Sequence, residues 1–114
     1  VQISPGQANT LALLLNELTT NVIKYALSPA GPTRINVELK AAAEEIVLQF
    51  RDNGSGYPAE VLAGQGDHVG LTLVRHLASQ GLSGQLALHN DQGAVTTLHF
   101  KVEETTGWQS PNSD

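Results

Sequence analysis

Hydrophobic positions along the chain switch between two rhythms. Leu11, Leu15, Leu18 and Val22 recur at the three-to-four spacing of one helix face, which predicts a long amphipathic helix over residues 7–27. Ser4 and Pro5 supply an N-cap and a first-turn residue, and Pro29, Gly31 and Pro32 stop a helix soon after Leu27. In residues 34–40, Ile35, Val37 and Leu39 alternate with Arg34, Asn36, Glu38 and Lys40, the period of a half-buried strand. A turn over residues 42–45 leads to a second strand over residues 46–52, with Ile46, Leu48 and Phe50 in one phase and Asp52 in that same phase. Periodicity then fails over residues 53–69, which hold Gly54, Gly56, Pro58, Gly64 and Gly66 and read as a mobile loop with one helical turn over residues 59–62. Loops of that length in small domains are usually functional. Helical spacing returns with Leu71, Val74, Leu77 and Ala78 over residues 70–79, and Gly81 offers a stop. Two last strands, residues 85–89 and 95–102, flank the hairpin-type turn Asn90-Asp91-Gln92-Gly93, and residues 1–3 suit the end of one more strand. These elements predict an α+β fold, a two-layer sandwich in which helices cover a mixed sheet.

Size and composition narrow the picture. At 114 residues and 12.1 kDa the chain holds one core, and 40% hydrophobic against 15% charged residues is the balance of a packed domain. The domain is expected over residues 1–104, with residues 105–114 a flexible tail. Six scattered Lys and Arg against eleven Asp and Glu leave a net charge of -5, so nucleic acid is not an expected partner. No run approaches the roughly 20 apolar residues of a membrane span, so no membrane contact by this segment is expected. The absence of cysteine removes disulfides, thiolate metal sites and cysteine nucleophiles together, and suits a cytoplasmic setting. Methionine is also absent and the chain opens on Val1, which reads as a fragment of something longer.

Three places depart from ordinary core and surface chemistry. Glu17, Asn21 and Lys24 share a flank of the first helix, where an acid, an amide and an amine can polarise a water, hold a hydrated divalent cation and neutralise phosphate. A solvated face with an intrahelical ion pair would give the same pattern. Asp52 is a carboxylate in a core-facing phase and needs a donor partner, which a ligand's exocyclic amine would supply. An aspartate capping its own turn in Asp-Asn-Gly is the plainer alternative. Gly70 and Leu71 open the second helix after a glycine-containing loop, where free N–H groups and the helix dipole favour an anion, although a simple loop-to-helix transition would look alike.

The order of these pieces is more specific than any one of them. Asn16-Glu17-Leu18-Thr19-Thr20-Asn21-Val22-Ile23-Lys24-Tyr25-Ala26, then Asp52-Asn53-Gly54-Ser55-Gly56-Tyr57-Pro58, then Gly70-Leu71-Thr72-Leu73-Val74 resemble the N, G1 and G2 boxes of sensor histidine kinase ATP-binding domains. Those domains belong to the gyrase, Hsp90, histidine kinase and MutL ATPase superfamily, and the likeness spans residues 1–102. The Lys24-Tyr25-Ala26 ending, the short lid and the run from Leu73 to Gln80 are most similar to HisKA_2 and HWE-related kinases.

The resemblance implies a Bergerat ATP-binding fold with ATP and Mg²⁺ as ligand and cofactor. By it, Asn21 would ligate Mg²⁺, Glu17 would act as a base or water-orienting group, and Lys24 would contact the phosphates. Asp52 would accept the adenine amino group, Gly54 and Gly56 would form the adenine-side wall and lid hinge, and Gly70 and Leu71 would offer N–H groups to the phosphates. Implied partners are the histidine phosphoacceptor and dimerisation domain of a parent chain and a response regulator. The lid lacks a phenylalanine box, its only aromatic being Tyr57, and the Gly-Gly-Thr common near the last strand is replaced by Gln92-Gly93-Ala94, with threonines at Thr96 and Thr97. His68, His76, His89 and His99 read as surface or boundary residues. The expected function is therefore the Mg·ATP-binding catalytic domain of a sensor histidine kinase. A serine kinase of the anti-sigma-factor type and a non-catalytic docking module for a response regulator are the alternatives.

Overall fold

The computed structural model describes residues 2–25, 31–65 and 69–102. The long helix, α1, runs Pro5–Tyr25. Its start is a reciprocal cap: the Gln7 N–H donates to Ser4 Oγ at 3.0 Å and the Ser4 N–H donates to Gln7 Oε1 at 3.2 Å. Gln7 Nε2 also donates to the carbonyl of Lys101 at 2.8 Å, which fastens the helix start to the sheet. The expected end at Leu27 lies outside the described residues. Leu14, Leu18 and Val22 are the buried face of α1, while Leu11 and Leu15 sit at its margin. The expected stripe is thus rotated by less than a turn.

Strands β1 (Ile35–Ala42), β2 (Glu45–Asp52), β3 (Gln85–Asn90) and β4 (Ala94–Lys101) form a sheet in the order β1-β2-β4-β3. All three pairings are antiparallel, so the mixture of strand directions expected from sequence does not occur among the described strands. Gln2 and Ile3 are irregular rather than the end of another strand. A short helix α2 (Ala59–Leu62) follows β2, as expected. Helix α3 (Val69–His76) runs on into a π turn (Leu77–Gly81), where the Leu82 N–H donates to the Leu77 carbonyl at 3.1 Å. The helical run ends at Gly81, as expected, and a side chain there would strike Thr10 of α1, with Cγ2 at 2.5 Å from the Cβ position.

The core lies between the helices and one face of the sheet, built from Leu14, Leu18 and Val22, from Leu48, Phe50, Leu98 and Phe100, and from Val74, Ala78 and Leu82. The α+β two-layer architecture therefore follows the sequence reading. β1 departs from it. Val37 lies opposite Phe50 and Leu39 opposite Leu48, so its apolar residues share the core face, yet Ile35, Val37 and Leu39 are 39%, 46% and 56% exposed. Alternation sets which face a side chain takes, whereas burial needs a covering layer, and no described element covers this edge. Among the described residues no helix is long and apolar enough to cross a membrane. The expected tail, residues 105–114, lies outside the described residues.

Candidate active site

A cavity of about 270 Å³ opens between α1, the end of β2 and the start of α3. Its apolar lining comes from Leu18 and Val22 of α1, Phe50 of β2, Leu71 of α3 and Ala94 of β4. Few polar groups enter it, chiefly Asn21 and Asp52, and an apolar pocket with a small number of placed polar groups is the usual form of a small-molecule site.

Asp52 reaches the cavity as the last residue of β2, in the phase of Phe50. Its Oδ1 accepts the Gly54 N–H at 2.8 Å and the Ala94 N–H at 3.2 Å. The turn-capping role weighed for Asp52 is therefore present, and it occupies one oxygen. Among the described residues both hydrogen bonds to this carboxylate end on Oδ1, so Oδ2 keeps its acceptor capacity. Asn53 anchors the same turn from the other side, its Oδ1 accepting the Arg34 N–H at 2.7 Å and its Nδ2 donating to the Pro32 carbonyl at 3.0 Å.

Asn21 faces the cavity from α1 and lies against Gly70 at the start of α3; any Cβ at residue 70 would overlap the Asn21 amide. Glycine thus lets α3 begin close beside α1, which brings the first and third sequence motifs together. Glu17 is half-buried one turn before Asn21 on the same helix, and Lys24 is exposed in its last turn. Neither lines the cavity, and among the described residues no salt bridge joins them. Of the expected site residues, Asn21, Asp52, Gly56 and Leu71 line the cavity, while Gly54 and Gly70 support it from behind. His68 lies outside the described residues.

Sequence reasoning missed Tyr57. Its ring lines the cavity and its hydroxyl lies 2.6 Å from the Oγ1 of Thr96, a buried residue of β4. At the Gln92-Gly93-Ala94 departure the Ala94 N–H donates to Asp52, while the Thr96 hydroxyl meets Tyr57 behind the cavity lining. The only signal in the sequence was that Tyr57 is the sole aromatic of its loop. Burial lifts the Tyr57 phenol above its ordinary value of 10.0; the Thr96 hydrogen bond opposes this, the charge of Asp52 adds to it and Arg75 opposes it. A raised value in the folded state means that the neutral phenol contributes stability below pH 10.0, lost as pH rises through the raised value. Tyr57→Phe should remove that part of the alkaline loss, seen as a smaller fall in the urea midpoint between neutral and strongly alkaline pH than in the parent chain.

The profile of the family described as histidine kinase-, DNA gyrase B-, and HSP90-like ATPase matches residues 6–106. The chain belongs to this family. Among relatives, the sensor histidine kinase PdtaS of Mycobacterium tuberculosis is 30% identical over 103 residues, covering 88% of this chain and 20% of that protein. The DNA mismatch repair protein MutL of Xylella fastidiosa is 34% identical over 103 residues, covering 90% of this chain and 14% of its own length. The chain thus spans a fifth or less of these relatives. Among solved structures, the histidine kinase domain of the Erythrobacter litoralis EL346 blue-light activated histidine kinase superposes with a TM-score of 0.72 at 22% identity, over 85% of this chain and 45% of that one. The catalytic domain of histidine kinase ThkA gives 0.69 at 14% identity, over 82% and 67%. The fold is that of histidine kinase ATPase domains, and the cavity is assembled from the segments in which the sequence resembled this family.

Proposed function

We propose that this chain is the Mg·ATP-binding catalytic domain of a sensor histidine kinase, extending over residues 1–104 and working in the cytoplasm. It would donate the γ-phosphoryl group of ATP to a histidine on the phosphoacceptor and dimerisation domain of a longer protein, with a response regulator downstream. The observation that carries this reading is the convergence of Asn21 and Asp52, residues of distant motifs, on one largely apolar cavity. Similarity to PdtaS supports it.

In this reading the adenine ring lies among Leu18, Val22, Phe50 and Ala94, and its amino group donates to Asp52 Oδ2. Gly54 makes the turn that caps Asp52, and Gly56 and Tyr57 form the adjoining wall. Mg²⁺ takes one or two protein oxygens beside phosphates and waters, so the Asn21 amide oxygen, with Glu17 behind it, is a fitting donor set. Bound there, the ion would neutralise charge on the phosphates. Lys24 and the N–H groups of Gly70 and Leu71 would serve the same end, and Glu17 would act as a base or water-orienting group. Phosphoryl transfer asks a protein mainly for positioning and charge neutralisation, so without an acceptor the domain should bind nucleotide yet turn it over little.

Calorimetric titration with a non-hydrolysable ATP analogue, with and without Mg²⁺ and beside GTP, tests the reading. Adenine-selective binding enhanced by Mg²⁺ is expected, and no heat at millimolar nucleotide would overturn it. Asn21→Ala should lower the Mg²⁺-dependent part of the affinity and leave metal-free ADP binding nearly intact. Equal loss under both conditions would make Asn21 structural.

A further inference from the structure

Asn90 ends β3 and does not line the cavity, yet it grips the segment that does. Its Oδ1 accepts the Tyr57 N–H at 2.7 Å and its Nδ2 donates to the Tyr57 carbonyl at 3.0 Å. One side-chain amide thus satisfies both peptide groups of a residue 33 positions away. Residues 53–58 carry no helix or strand, so neither group has a ladder partner, and a planar amide is the side chain that offers a donor and an acceptor side by side. Gly56 makes room for this grip: at φ 85° its Cβ position is only 2.7 Å from Asn90 Cγ, so a side chain there would push the amide away.

The hairpin end carrying Asn90 also reaches Asp52. Asn90 pairs with Ala94, whose N–H donates to Asp52 Oδ1. Arg51 and Asp91 form a 2.6 Å salt bridge across the same corner. Tyr57 is consequently fixed at both peptide groups by Asn90 and at its hydroxyl by Thr96. We infer that Asn90 is a positioning residue for the nucleotide site, holding Gly56 and Tyr57 as its wall from outside the cavity. The inference rests on the nucleotide reading given above, and it adds a determinant that none of the three sequence motifs contains.

Two variants separate this role from a general contribution to the fold. Asn90→Ala removes both hydrogen bonds; Asn90→Asp keeps the shape and the acceptor for the Tyr57 N–H but sets a second acceptor against the Tyr57 carbonyl. Both should weaken ADP binding by about fivefold, the scale of a neutral hydrogen bond. Amide exchange at Tyr57 should accelerate in Asn90→Ala and stay slow in Asn90→Asp, while the amides of Val95 and Leu98 in β4 keep parental rates in both. Unchanged ADP affinity in Asn90→Ala would overturn the inference, as would unaltered exchange at Tyr57 or accelerated exchange throughout β4. Failure of the parent chain to bind ADP would instead strike the nucleotide reading itself, and it would be seen before any variant was compared.

Discussion

Asp52→Asn is expected to weaken adenine nucleotide binding by about 1.5–3 kcal/mol, one to two orders of magnitude in Kd, the scale of a lost hydrogen bond to a charged acceptor. The substitution is well matched to the geometry. An asparagine can keep an oxygen where Oδ1 accepts the N–H groups of Gly54 and Ala94, so the turn and the β4 contact survive. The other position becomes an NH₂ group facing the cavity, where a donor would meet the donor of the adenine amino group. The loss should therefore appear in affinity, and the thermal midpoint of the free domain should move little. Titrations with ADP and with a purine nucleotide carrying a carbonyl at the amino position check it: the variant should lose its preference for adenine. Equal weakening of both nucleotides would remove Asp52 from base recognition.

Much of this arrangement is legible in the sequence, for physical reasons that differ by element. α1 announces itself because its period, its Ser4–Pro5 start and the later prolines agree, yet three-to-four spacing alone does not decide whether Leu14 or the pair Leu11 and Leu15 turns fully inward. The hairpins and α2 follow from local turn chemistry. The exposure of β1 was not legible, because alternation reports a strand's faces and says nothing of what lies over them. The all-antiparallel pairing is likewise a property of the assembled sheet. Asn21 and Asp52 could be singled out because each breaks a local rule, an amide and an acid beside or within an apolar phase. Tyr57, Asn90 and Thr96 break none. Their contacts join positions 33 and 39 residues apart, and only the assembled sheet brings β3 and β4 to the loop after β2.

Gly70→Ala carries the other large effect, and it should fall on binding far more than on stability. Gly70 is the second residue of α3, outside the helix interior where alanine gains over glycine, and the obstacle here is the end of the Asn21 side chain, which can rotate aside. The fold should therefore tolerate the change, with a thermal midpoint close to that of the parent. The rotation moves the Asn21 amide off the cavity wall, and positioned groups lose effect steeply with displacements of about 1 Å. The Mg²⁺-dependent part of ATP-analogue binding should then fall by at least about tenfold, the scale of a lost hydrogen bond to a charged group, while metal-free ADP binding changes less. If Asn21 is the route, Gly70→Ala should add almost nothing to Asn21→Ala in a double-mutant cycle, because both substitutions disable the same amide. Additive losses would mean that Gly70 acts on its own account, through close approach of its backbone N–H to phosphate, and Gly70→Ala with unimpaired Mg²⁺-dependent binding would detach the start of α3 from the proposed Mg²⁺ position altogether.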